Sequence, residues 1–336
     1  MTRITIDPVT RLEGHGKIEI LLDDAGDVEH TYFQIPELRG FEAFCIGRPV
    51  EDMPALTNRI CGVCPEAHHM AAAKAADAVY GVDIPQAARM LRELLYNAFY
   101  VTDHATHFYV LSGPDLIMGP DAPKAERNIL GVVKKVGAEV GGAVLDARTA
   151  GHRVIEIVGG RRIHPCTSVP GGQTKALSDE ERDEIRGLAD AMVEFADFSL
   201  GLFDSMLADE AIEEIVKGDL YTHETYYAGL VDENEKVAFY DGRIKVVAPD
   251  GEVVGTYEPK DYRDWISEKV EPWTYLKFPY LKNVGWKGLV DGKDSGIYTV
   301  APLGRLNAAS GMATPKAQEA YEKYFATLSP EGTPVH

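Results

Sequence analysis

Followed from its start, the chain first alternates apolar and polar residues and then repeats them at helical spacing. Gly16-Lys17-Ile18-Glu19-Ile20-Leu21-Leu22 and Val28-Glu29-His30-Thr31-Tyr32-Phe33 flank the acidic turn Asp23-Asp24-Ala25-Gly26-Asp27, which predicts a β-hairpin. A loop through residues 36–42 leads into a short helical piece. The alanines from Ala71 to Ala78, stopped by Gly81 with Pro85 beyond, predict a helix. A longer one is expected from Gln86 to Ser112, where Leu91, Leu94, Leu95, Ala98 and Phe99 share a face. Another falls between Lys124 and Ala138. Ser178-Asp179-Glu180-Glu181 has the capping-box pattern and opens a helix reaching toward Val216, with Ile185, Leu188, Met192, Val193, Ala196, Phe203 and Leu207 on one side. Strands return between Val237 and Tyr257 around the turns Asp241-Gly242 and Asp250-Gly251. Thr314-Pro315 starts a last helix with a hydroxyl cap and Pro in the first turn. The tail Ser329–His336 reads as frayed.

No repeat, low-complexity tract or linker divides the chain, so the fold class expected is α+β, one unit over residues 1–336. Its parts are an N-terminal hairpin (1–35), a metal-site region and helical core (36–231), a peripheral inserted hairpin (232–258) and a loop and helical region (259–336). A central bundle of long helices would hold it together.

Composition narrows the function. The chain has 336 residues, 45% hydrophobic and 26% charged, the balance of a globular enzyme with a sizeable core. A net charge of −19 repels phosphate backbones and anionic lipid, which argues against nucleic acid and membrane surfaces as partners. No apolar run is long enough to span a membrane and the polar start is no signal peptide, so the cytoplasm is the expected location. Four cysteines are too few for a disulfide scaffold.

Two of them, in Cys61-Gly62-Val63-Cys64, stand at a loop-to-helix junction where both thiols can turn toward one ion. A helix N-terminus and Arg59 would favour thiolate. His68, one helical turn after Cys64, can reach back to that sulfur. A thioredoxin-type dithiol would need a βαβ setting, and none is visible. A zinc site would need a second ligand pair, and Cys45 and Cys166 are isolated. A soft-metal site completed from elsewhere remains. On residues alone, Glu13 before a glycine reads as a turn residue rather than a catalytic one, and Glu42 as a solvated carboxylate paired with Arg39 or Arg48. Asp103, His104 and His107 read as buried hydrogen-bonders and Cys166 as a core thiol.

Three segments then set the context: Asp7-Pro8-Val9-Thr10-Arg11-Leu12-Glu13-Gly14-His15-Gly16, Arg39-Gly40-Phe41-Glu42, and Thr57-Asn58-Arg59-Ile60-Cys61-Gly62-Val63-Cys64-Pro65-Glu66-Ala67-His68-His69. Together with His104–Tyr109, Gly159–Pro165, Pro170-Gly171-Gly172 and Pro302–Asn307, they resemble the large catalytic subunit of nickel–iron hydrogenases, in family order along the whole chain. They look most like the soluble, multi-subunit cytoplasmic branch. The resemblance implies that Cys61 is a terminal thiolate on nickel and that Cys64 bridges nickel to an iron carrying carbon monoxide and cyanide. It makes His68 a hydrogen-bond partner of the bridging sulfur, Glu13 the first proton relay, Glu42 a magnesium ligand, and Asp115 an outer neighbour of the centre. The reaction implied is reversible heterolytic cleavage of dihydrogen, with electrons passed to iron–sulfur clusters in a small partner subunit, then to further electron-transfer subunits. The family's second cysteine pair near the C-terminus has no counterpart here, since the last cysteine is Cys166. The sequence is therefore expected to be the N-terminal part of a longer subunit. The alternative is a hydrogenase-derived subunit without metal, serving as a quinone-reacting or scaffold part of a redox complex.

Overall fold

The computed structural model describes residues 2–219 and 221–336. Where the sequence suggested one unit, the chain divides into two: Met1–Asp7, Lys17–Glu37 and Glu214–His336 form the first, and Pro8–Gly16 with Leu38–Glu213 form the second.

The first unit opens with an antiparallel sheet of β1 (Thr2–Ile6), β2 (Lys17–Leu22) and β3 (Val28–Gln34), with β2 in the middle. The expected hairpin is β2–β3. Its turn is tied by the Asp23 carboxylate, which accepts from the N–H of Ala25 at 2.8 Å and of Asp27 at 2.9 Å. The strand β1 adds an edge in register Ile4↔Ile20, so the N-terminal element is a three-stranded sheet rather than a hairpin.

The second unit is helical. It contains α1 (Phe41–Cys45), α2 (Met53–Thr57), α3 (Pro65–Tyr80), α4 (Gln86–Thr106), a π-helical turn (His107–Ser112), α5 (Gly113–Leu116), α6 (Ile129–Val136), α7 (Ala138–Gly159) and α8 (Asp179–Met206). A minimal hairpin, β4 (Ser168–Val169) with β5 (Gly172–Gln173), lies between α7 and α8 in sequence. The helix α7 packs on both α4 and α8, which supplies the expected bundle. The periodicity gave no helix over α7, which carries several glycines. The packing explains them: a Cβ on Gly151 would collide with Thr102 of α4 and come within 3.3 Å of the Met192 sulfur on α8. The helix expected from Lys124 starts later, at the Asn128 cap, whose side chain accepts from the Leu130 and Gly131 N–H groups. The capping box at Ser178 forms as predicted, but α8 stops at Met206, and a separate α9 (Glu210–Lys217) carries the chain back to the first unit.

There the inserted segment is no isolated hairpin. The strands β6 (Tyr226–Val231), β7 (Arg243–Val247) and β8 (Val253–Tyr257) join β11 (Tyr298–Thr299) in a four-stranded sheet, order β11-β6-β7-β8. After the short α10 (Tyr262–Trp265), β9 (Ile266–Val270) pairs with β10 (Lys277–Leu281), giving strands in a region expected to be loop and helix. Tyr226, Ala228, Val246, Ala248 and Leu281 form one core cluster, and Val231, Val237 and Ala309 form another. The helix α11 (Ala301–Ala308) packs on β6, where Gly304 meets the Ala228 carbonyl too closely for any Cβ. Residues 334–336 are not frayed after α12 (Pro315–Leu328). Asn307 donates to the Val335 carbonyl at 2.7 Å and accepts from its N–H at 3.0 Å, and the buried Tyr227 hydroxyl meets His336 Nδ1 at 2.7 Å. Among the described residues, no helix is long and apolar enough to cross a membrane.

Candidate metal centre

The residues expected to act lie in the second unit. The segment between α2 and α3 is a series of turns that ends at Cys64, the N-cap of α3, with Pro65 in the first helical turn. Proline suits that place because its missing N–H would be unpaired there anyway. The Cys64 N–H donates to Cys61 Sγ at 3.2 Å, which folds the two thiols toward each other. His68 lies one turn into α3. Its imidazole nitrogen and the two sulfurs all fall within 4.8 Å of one another, and they are the one such group of three potential ligands found among the described residues. Two soft sulfurs and an imidazole fit nickel or iron and would serve a hard cation poorly.

The loop Pro8–Gly16, closed by a 2.8 Å bond from Val9 N–H to the Gly16 carbonyl, brings Glu13 to this group. The Cys61 thiol donates to Glu13 Oε1 at 3.6 Å. Cys61 is buried, Cys64 and His68 half-buried, and Glu13 exposed rather than enclosed. Burial pushes the Cys64 thiol well up, reinforced by its hydrogen bond with Cys61 and the negative charges of Glu13 and Asp103. The helix N-terminus and Arg59, expected to favour thiolate, are therefore outweighed in the metal-free chain. A bound cation would reverse this, since ligation deprotonates a thiol. Burial lowers His68, against the opposing pull of Glu13, and so favours the neutral imidazole.

Two carboxylates were not expected here. Glu66, on the first turn of α3, is buried and pushed up to about 7 by burial and by Asp103. Asp103 on α4 acts electrostatically on both Glu66 and Cys64. Acidic residues on helices are ordinary in sequence, and only the packing shows Asp103 facing both Glu66 and Cys64.

His69 needs a role of its own. It is fully buried, accepts at Nε2 from the Ser168 N–H at 3.1 Å and, with that nitrogen taken, donates from Nδ1 to the Pro54 carbonyl at 2.9 Å. It thereby pins α2 and β4 to the helix that carries Cys64 and His68.

Among the described residues, the other expected residues join no ligand group with the thiols. Glu42 is exposed and accepts from Arg39 Nε at 2.7 Å, and it joins no group of three potential ligands among the described residues. Asp115 accepts from Arg11 Nε at 2.8 Å and lies 3.4 Å from Arg127 Nε. His104 and His107 are exposed rather than buried, bonded at Nδ1 to the Tyr100 carbonyl and the Ser112 hydroxyl. Cys166 is likewise exposed, not a core thiol.

A family model described as nickel-dependent hydrogenase matches residues 39–136, and one described as HoxL-like matches residues 3–38. Over 337 residues the chain is 46% identical to an iron-sulfur subunit of the F420-non-reducing hydrogenase of Archaeoglobus profundus, spanning all of this chain and 69% of that one. It is 43% identical over 325 residues to a vhu subunit of the F420-non-reducing hydrogenase of Methanocaldococcus jannaschii, covering 97% of this chain and 75% of that one. Its fold matches the crystal structure of an NAD+-reducing NiFe-hydrogenase in the H2-reduced state with a TM-score of 0.89 and 35% identity, over 97% of this chain and 70% of that chain.

Proposed function

Because the chain belongs to the nickel-dependent hydrogenase family, as a catalytic nickel–iron hydrogenase subunit, we propose that its own residues supply one half of the thiolate cradle and the first step of the proton path. The observation that carries this is the convergence of Cys61, Cys64 and His68 within 4.8 Å, with Glu13 Oε1 at 3.6 Å from Cys61 Sγ. Cys61 and Cys64 would hold the nickel–iron centre as its thiolate ligands from this chain. Bound there, a nickel–iron centre with carbon monoxide and cyanide on iron supplies the Lewis-acid and redox chemistry that splits dihydrogen heterolytically and reversibly.

The chain's residues do the rest. Neutral His68, within 4.8 Å of both sulfurs, would donate an N–H to the Cys64 thiolate and so tune its donor strength. Cys61 Sγ holds the proton released in the cleavage and passes it to Glu13 Oε1, the carboxylate oxygen to which its thiol is hydrogen-bonded. Electrons leave by another way. The four cysteines follow no iron–sulfur pattern, so a cluster-bearing small subunit takes the electrons and further subunits carry them on. Glu42 as a magnesium ligand would exchange its Arg39 pair for the ion, and such an exposed pair is worth about 1 kcal/mol or less. The location proposed for the complex is the cytoplasm.

The test is metal analysis of the purified complex, alone and with Cys61→Ala or Cys64→Ala. Nickel and iron in equal amounts, lost in either variant, are expected. A wild-type complex without nickel would overturn the proposal in favour of a metal-free quinone-reacting or scaffold subunit.

A further inference from the structure

The Val9–Gly16 bond closes the base of the loop that carries Glu13, and Glu13 itself is exposed. Between them Arg11 adopts a left-handed backbone, φ +62°, in a region that costs an L-residue about 1–2 kcal/mol. Such a conformation persists only where the surroundings over-determine it. Here they do so through the side chain. Arg11 Nε donates to Asp115 Oδ2 at 2.8 Å, and Nη2 of the same guanidinium donates to the Arg127 carbonyl at 2.9 Å. Asp115 belongs to α5, and its other oxygen lies 3.4 Å from Arg127 Nε. Two donors on one rigid planar fork therefore fix the loop to two separate segments of the same unit, a geometry that a lysine ammonium cannot reproduce.

We propose that Arg11 is a positioning residue for the proton relay, with Asp115 and Arg127 acting through it. The clamp holds the loop in the left-handed turn that keeps the Glu13 carboxylate within reach of the Cys61 thiol. Asp115, expected to neighbour the metal centre, works in this reading at one remove. The inference rests on the assignment of Glu13 as the relay, and the test separates the two.

The readout is formation of HD from D2 in water by the native complex, which follows proton passage between site and solvent. Nickel content and thermal midpoint are measured beside it. Glu13→Gln is expected to slow exchange. Arg11→Ala and Arg11→Gly are expected to slow it about ten- to a hundredfold, with nickel and midpoint unchanged, as a misplaced proton acceptor would. Glycine is at ease at φ +62°, so the glycine variant removes the clamp without adding backbone strain. Arg11→Lys should recover part of the rate. Arg11→Ala combined with Glu13→Gln should be no slower than Glu13→Gln alone, because a residue acting only through Glu13 has nothing left to position. Full exchange in Arg11→Gly, multiplying effects in the double variant, or loss of nickel in the alanine, glycine and lysine variants alike would each overturn the inference. If Glu13→Gln slows exchange and Arg11→Ala does not, this inference fails alone. If Glu13→Gln exchanges at the wild-type rate, the relay assignment fails and takes this one with it.

Discussion

The two ends of α3 treat their polar groups in opposite ways. At its start, Cys64 caps the helix without a side-chain bond, its thiol is pushed up by burial and neighbouring charge, Glu66 is pushed up to about 7, and His68 is pushed down. Near its end, the Asp77 carboxylate accepts from Arg92 Nη1 at 2.5 Å and from the Gly171 N–H at 2.8 Å. Arg92, fully buried, also donates to the carbonyls of Val169 and Gly172 at 2.7 and 2.9 Å. The helix then closes on Gly81, in the left-handed conformation at φ +62°. One end is a saturated network, the other a set of titratable groups shifted from their ordinary values. Buried polarity that serves the fold closes on partners within the chain. Buried polarity that serves chemistry keeps a demand that only an added group meets.

The contrast breaks most visibly at the saturated end. Asp77→Ala strands the Arg92 charge in the interior and should cost about 3–5 kcal/mol in denaturant unfolding. A change below about 1 kcal/mol would show that the network is not closed as described. His69→Ala, between the two ends, orphans the Pro54 carbonyl and the Ser168 N–H and should cost about 2–3 kcal/mol. His69 also carries a pH signature. Burial, aided by the Arg92 charge, holds its folded value below the ordinary 6.5, so the unfolded chain binds more protons as pH falls. Its stabilisation is present above pH 6.5 and lost as pH drops toward the folded value; His69→Gln should flatten that slope in a series of melts. Gly81→Ala forces an L-residue into the left-handed region and should cost about 1 kcal/mol. The smallest effect belongs to the open end. In the metal-free chain, Cys61→Ala or Cys64→Ala should change stability by about 1 kcal/mol or less while removing the capacity to take up nickel. A loss as large as that of Asp77→Ala would mean that the thiols belong to the fold's own closure.

Local signals carried the reading of this fold well, and distant ones did not. The stop at Gly81, the capping box at Ser178 and the proline at the start of α12 are short-range chemistry, and each stands where it was expected. The helix α7 escaped because Gly151 answers to Thr102 and Met192, far away in sequence. The pair β9–β10 escaped because each strand finds its partner only in the other, without the turn residues that announced Asp241-Gly242 and Asp250-Gly251. At the site, Cys61, Cys64 and His68 were legible because one helical turn brings them together. Asp103 was visible as a residue but not as a neighbour of the thiols, a fact created by the packing of α4. Cys166 had no pattern to place it, and it is exposed.

The π-helical turn at His107–Ser112 fixes the phase between two stretches of helix. Each residue of an α-helix advances the side chains by about 100° and 1.5 Å along the axis, so one residue more or less at this point re-aims everything after it. Upstream, α4 keeps its face to α7; downstream, α5 holds the Asp115 carboxylate that Arg11 grips. Deleting a single residue from His107–Ser112 would leave the helix forming freely and its composition nearly intact, yet would swing that carboxylate away from its arginine. The turn is thus the molecule's gearing: a small irregularity in winding that sets the angle at which one working part meets another.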